Sequence, residues 1–124
     1  MIILGHKLIP FNPLHRVTKI EEIKKTPSNS TILFAFIDEE VLRYCKKQNI
    51  SFALHVKSIK EACIANALKA KFIIVNHKLS KEVQSIATEY LFDTKILLQI
   101  EGETEIEIAA KSSIDGVIFK NAIL

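Results

Sequence analysis

The chain has 124 residues, 48% of them hydrophobic, which suits one domain with a real core and argues against a second. Its formal charge is only +3 with a pI of about 8.9, and its lysines are scattered, often beside glutamates, so a nucleic-acid partner is not expected. No apolar run approaches the ~20 residues a membrane span needs, and the opening MIILGHKLIPF lacks a basic start and a long apolar core, so a soluble, cytoplasmic protein with no membrane partner is expected.

In chain order, residues 1–4 suit an initial edge strand, Pro10 and Pro13 break the chain, and 17–25 suit a short helix in which Thr18 and Glu21 have capping-box spacing. The segment TPSNS (26–30) closes this N-terminal edge region, and residues 31–124 follow as βα repeats of about twenty residues within one α/β domain, 1–124. Strands are expected at 31–37, 51–56, 72–75, 95–100 and 116–119, each pair far enough apart for the crossover helix that parallel pairing requires. The helices between them have expected starts at Asp38, Ser58 with Glu61, Ser80, and Thr104 with Glu107, with Glu39, Glu40 and Glu82 placed to complement the helix dipole. Ala62, Ala65 and Ala70 read as packing residues that let a helix approach a strand closely. Cys45 and Cys63 fall among apolar helical neighbours without CxxC spacing, so buried free thiols are expected rather than zinc or redox chemistry.

The strands ILFAFI, FIIV, ILLQI and GVIF are apolar on both faces, which means both faces are covered. Two mainly parallel architectures satisfy that: a flavodoxin-like three-layer sheet, or a half-barrel with helices outside and its inner face closed by a second copy. The half-barrel makes a homodimer nearly obligatory.

The stretch HVKSIKEACIANALKAKFIIV, from His55 to Val75, resembles a segment of the 2-keto-3-deoxy-6-phosphogluconate aldolase family, and ILLQIEGETEIEIAAKSSIDGVIF looks like its next two units, with Glu105, Ala109 and GVIF in phase. The likeness covers about half the chain and implies an aldolase-like phosphate-binding βα-barrel segment. In that family the last of these strands carries a Schiff-base lysine followed by Phe-Pro-Ala, whereas this chain has Ile118 at the lysine's phase and reads VIFKNA. Lys120 lies two residues on and reads as a surface lysine, and Leu98 and Gln99 stand where the family has a proline-glycine turn. With glycine only at positions 5, 102 and 116, no Gly-rich loop brings backbone N–H groups close to a phosphate, so aldolase activity, nucleotide binding and a bound cofactor are not expected.

Parallel sheets and barrels gather ligands at the carboxyl ends of their strands. That rule selects Asp38, His55, Lys57, Asn76, His77, Glu101 and Lys120 as a candidate strand-end site, with His6, Gln99, Glu103 and Asn121 at comparable points. His55, His77 and Glu101, with Asp38 as an alternative oxygen, have the donor types of a transition-metal site, but no HxH or HExxH spacing enforces one, and no metal is expected. His55, Lys57 and Lys120 are the cations for an acidic or phosphorylated metabolite. No serine stands in a GxSxG turn, and EGETEIE reads as a strand-to-helix junction with an acidic first turn. The expectation is a non-enzymatic binding or interaction module that self-associates; the alternative is a small enzyme or acidic-metabolite binder working at the strand ends.

Overall fold

The computed structural model describes residues 1–35 and 38–124. Strands β1 (Ile2–Leu4) and β2 (Leu14–Arg16) precede α1 (Ile20–Ile23). The repeats follow as β3 (Thr31–Ala35), α2 (Glu39–Lys47), β4 (Phe52–His55), α3 (Ile59–Ala67), β5 (Phe72–Val75), α4 (His77–Glu89), β6 (Lys95–Ile100), α5 (Thr104–Lys111) and β7 (Gly116–Phe119), ending in a 3-10 turn at Lys120–Ala122. The last three strands have the expected bounds; β4 is one residue shorter at each end, and Phe36 and Ile37 of the expected 31–37 strand lie outside the described residues. Strand β2 was not expected. At three residues after Pro13 it is too short to show a period, and it is held by its pairing with β3, Leu14 opposite Thr31 and Arg16 opposite Leu33.

All pairings are parallel, in the order β1-β7-β6-β5-β4-β3-β2. From β3 to β7 each strand is added beside its predecessor without reversal, and right-handed crossovers then place every intervening helix on the same face. A flavodoxin-like sheet needs a reversal point to cover its second face, so the three-layer alternative falls away. The sheet is a curled half-barrel. In a flat sheet β7 and β2 would stand about 24 Å apart at ~4.8 Å per strand, yet the four residues from Phe119 to Ile123, which span at most about 14 Å, connect them. Ile123 bridges Leu14, the Leu124 N–H donates to the Leu14 carbonyl at 2.9 Å, and the Arg16 N–H donates to the Leu124 carbonyl at 2.9 Å.

Strand alternation divides the core in two. Ile32, Phe34, Leu54, Ile73, Val75, Ile96, Leu98 and Val117 face outward onto Val41, Cys45, Ala62, Ala65, Val83, Ala87 and Ala109 of the helices. Leu14, Leu33, Ala53, Ile74, Leu97 and Ile118 face inward, where Phe11, Ala122 and Ile123 complete the packing. Every one of those six inward residues is at most 1% exposed. These residues are thus buried within the chain itself, with Ile2, Leu4, Phe11, Phe72 and Ile123 partly exposed beside them.

The four longer helices end alike. Asn49, Lys69, Leu91 and Ser113 follow α2, α3, α4 and α5 with φ between 53° and 65°. In each case the next residue's N–H reaches back to a small buried residue of the last turn: Ile50 to Cys45, Ala70 to Ala65, Phe92 to Ala87 and Ile114 to Ala109, at 2.8 to 3.1 Å. These are Schellman turns, which satisfy the last carbonyls and aim the chain into the next strand. The helix starts differ more from expectation. Ser58 does cap α3, accepting from the Glu61 N–H. Helix α4 is capped four residues before the expected point: Asn76 caps it, and Ser80 lies buried inside it with its hydroxyl donating to the His77 carbonyl. Thr18 meets Glu22 instead of Glu21, Thr104 is the first helical residue of α5 rather than its cap, and Asp38 stands at the cap of α2 without a side-chain bond. Ala62, Ala65 and Ala70 are buried as expected. Of the two thiols only Cys45 is buried, and burial pushes it up to about 11; Cys63 is exposed, on the solvent side of α3.

Candidate functional site at the strand carboxyl ends

Parallel pairing brings all seven strand ends to one rim, and the seven candidate residues are distributed around it. His55 ends β4 on the inner face, two residues above the buried Ala53 and level with Ala35 of β3 and Ile74 of β5. It is half-buried. Burial holds its imidazole below the usual histidine range, the positive charges of Arg16 and Lys57 add to that, and Glu61 opposes them. Arg16 reaches this neighbourhood because it ends β2 on the same face as Leu14. Gln99, half-buried on β6, shares the inner face with Leu97.

The other candidates are held by local chemistry. Lys57 is exposed, and its backbone N–H donates to Glu61 Oε1 at 3.0 Å. Asn76 Oδ1 accepts the Leu79 N–H at 3.2 Å as the cap of α4. Lys120 is exposed in the 3-10 turn, while Ile118, at the phase where the aldolase family has its lysine, is fully buried on the inner face. Among the described strand positions facing inward, the only lysine is Lys95, at the opposite end of the sheet.

His77 does meet a carboxylate, but not that of Glu101. Its Nε2 lies 2.5 Å from Glu105 Oε1, on α5. The second oxygen of Glu105 accepts the N–H groups of Glu101 at 2.8 Å and Gly102 at 3.0 Å. The bond from His77 first, then the two backbone bonds, pulls the Glu105 carboxyl down to about 2. A similar pair lies nearby in sequence: His6 Nδ1 accepts the Leu8 N–H at 3.1 Å, so its Nε2 carries the proton and donates to Glu103 Oε1 at 2.5 Å. Gly5, with φ of 107°, leads into this contact, and a Cβ there would lie 2.7 Å from that of Phe119. The β6–α5 loop is therefore clamped from two sides, by His6 and by His77.

The proposed grouping of His55, His77 and Glu101 is not assembled, and among the described residues no three His, Cys, Asp or Glu side chains converge as metal ligands. Arg16 and Glu105 are the rim residues the sequence left unassigned. Arg16 was hidden by the shortness of β2; Glu105 stood in view, and its one-turn offset from Glu101 was the available signal.

No family model and no curated protein matches this chain. Among solved structures it is similar to an archaeal fructose-1,6-bisphosphate aldolase with the catalytic lysine covalently bound to the carbinolamine intermediate of the substrate, at 12% identity and a TM-score of 0.53. The match covers 82% of this chain and 53% of that one, so the chain spans about half the length of its structural neighbour. The likeness is one of fold: an aldolase-like arrangement of βα units.

Proposed function

We propose that this protein is a non-enzymatic binding module for a small acidic or phosphorylated metabolite, received at the inner carboxyl rim by Arg16, His55 and Lys57. The observation that carries the reading is geometric: His55 ends β4 half-buried on the inner face, and Arg16 ends β2 on that same face. An anion approaching the half-buried His55 meets Arg16 and Lys57 at the exposed rim, where charge-assisted hydrogen bonds are stronger than neutral ones. The structural neighbour acts on a bisphosphate through a covalent lysine. In this chain Ile118 is fully buried at the phase where the 2-keto-3-deoxy-6-phosphogluconate aldolase family has its lysine, which favours retention of an anion over its covalent conversion.

Calorimetric titration with citrate and with inorganic phosphate tests it. Binding is expected to weaken with added salt, and Arg16→Ala and Lys57→Ala are each expected to lower affinity by about tenfold, the worth of one charge-assisted contact. Affinity unchanged in both variants and at high salt overturns the reading.

A further inference from the structure

Strand alternation places one more polar residue over the inner face, and its chemistry differs from that of the cations. The inward side chains Leu14, Leu33, Ala53, Ile74, Leu97 and Ile118 belong to one cluster and form a closed apolar floor. Two positions further on from these stand Arg16, Ala35, His55, Asn76, Gln99 and Lys120, none of them acidic. Positions two apart on a strand share a face, so the members that lie within strands, Arg16, Ala35, His55 and Gln99, stand over that floor. Asn76 and Lys120 fall just past strand ends; Asn76 gives its Oδ1 to the Leu79 N–H, and Lys120 is exposed.

Gln99 is half-buried, and its register partner on β7 is the fully buried Ile118. Among the described residues its amide makes no hydrogen bond within the chain, and no fully buried side-chain N or O lacks a partner, so this amide opens to the mouth above the floor. Its two ends ask for different things: Nε2 donates and Oε1 accepts. A carboxylate or phosphate oxygen only accepts; it satisfies Nε2 and leaves Oε1 without a donor. A hydroxyl donates to Oε1 and accepts in turn, and a half-buried acceptor left unmatched is costly. Between the cations and this amide there is space of a suitable kind. Ala35, level with His55 on the strand between β4 and β2, contributes a single methyl there.

We infer that Gln99 sets the specificity of the rim site: the ligand is a small acid that also carries an uncharged hydroxyl, with its anionic group toward Arg16 and His55 and its hydroxyl on the Gln99 amide. The inference rests on the rim reading given above and adds the neutral half of the ligand to it. The scale agrees, since a barrel of about eight strands holds one small ligand, and here seven strands are drawn together by the return of the chain from Phe119 to Ile123.

Titration calorimetry with two pairs of like-charged probes tests it: citrate against tricarballylate, and glycerol 1-phosphate against propyl phosphate. In each pair only the first member carries hydroxyl, and the two pairs tell a carboxylate ligand from a phosphate one. The chain is expected to bind the hydroxylated member of the pair it accepts about tenfold more tightly. Gln99→Met keeps the length of the side chain and removes the amide, and is expected to bring that ratio to about one; Gln99→Leu is expected to do the same. A purely structural role for Gln99 would weaken both members together and leave the ratio standing, which overturns the inference. Equal binding of both members by the unaltered chain also overturns it, and a loss of both in Arg16→Ala would then leave the rim reading intact. Binding of none of the four probes overturns the rim reading and this inference together.

Discussion

The two ends of this sheet are finished by different means. At the carboxyl end, helix starts are satisfied by individual side chains: Ser58 on α3, Asn76 on α4, and Glu105 turning back onto the N–H groups that precede α5. At the amino end, α2 to α5 close by one repeated backbone device, a left-handed residue and a return bond to Cys45, Ala65, Ala87 or Ala109. The difference follows from what each end must supply. Starting a helix leaves N–H donors that any of several acceptors satisfies, so the residue used varies and is free to take on other contacts. Ending a helix and re-entering a parallel strand fixes a direction, which a backbone conformation sets more firmly than a side chain does. Variation is therefore concentrated where ligands gather, and uniformity where the chain turns.

The largest expected effect comes from removing the busiest of the carboxyl-end caps. Glu105→Ala takes away the acceptor of two backbone N–H groups and of His77 together, and is expected to cost about 1.5–3 kcal/mol in urea unfolding. Glu103→Ala removes one bond from an exposed carboxylate and is expected to cost less than about 1 kcal/mol. Equal losses in the two variants would show that the cap, and not the general charge of the loop, had been given too much weight.

Acid should reveal the same end of the molecule in two steps. His55 is held below its usual range in the folded state, so on acidification the unfolded chain takes up its proton first; stability present above about pH 6.5 is lost as pH falls from there toward the folded value. Glu105, ordinarily near 4.5, titrates at about 2 when folded, and its contribution, present above the ordinary value, is lost as pH falls from 4.5 toward 2. Melting temperature followed from neutral to acid pH is expected to fall in both windows, with His55→Gln removing the upper step and Glu105→Gln reducing the lower, to which Glu22, held low by Thr18, also contributes. A melting temperature flat from pH 7 to 5 would dismiss the role given to His55.

Much of this architecture was legible in the chain. The strands β5, β6 and β7 are dense in Ile, Leu, Val and Phe, and both their faces are buried, so no other element fits them. The buried small residues at 45, 65, 87 and 109 recur every twenty to twenty-two positions and are the physical origin of the repeat. What was not legible depends on long-range closure. Nothing local in Leu14–Arg16 announces a strand; β3 pairs with it on one side, and Ile123 and Leu124 return to it from the far end of the chain on the other. The same closure packs the inner face, where the strand pattern alone left open a three-layer sheet or a half-barrel closed by a second copy. The site suffered likewise: His55 was visible at a strand end, but its neighbour Arg16 sits on the strand the pattern could not show, and the partner of His77 is decided by which rung of α5 faces α4.

The smallest effect sharpens the amino-end side of the comparison. If backbone conformation is what those four turns require, a residue without a Cβ should serve them better than the residues present. Leu91 is the clearest case: its φ is 53°, its side chain is 84% exposed, and little packing is lost when it is removed. A left-handed conformation costs an ordinary L-residue about 1–2 kcal/mol, and glycine's greater loss of chain entropy offsets about 0.5–1 kcal/mol of the relief. Leu91→Gly is therefore expected to stabilise by about 0.5–1 kcal/mol, seen as a raised urea midpoint at unchanged slope. Ser113→Gly should behave similarly, whereas Asn49→Gly should change little, because asparagine already tolerates this region. The turns share no partners, so the gains at positions 91 and 113 should add in a double variant. Loss of stability in Leu91→Gly would mean that this exposed side chain does more at the amino end than mark a turn, and the uniformity of the four helix ends would then conceal a difference among them.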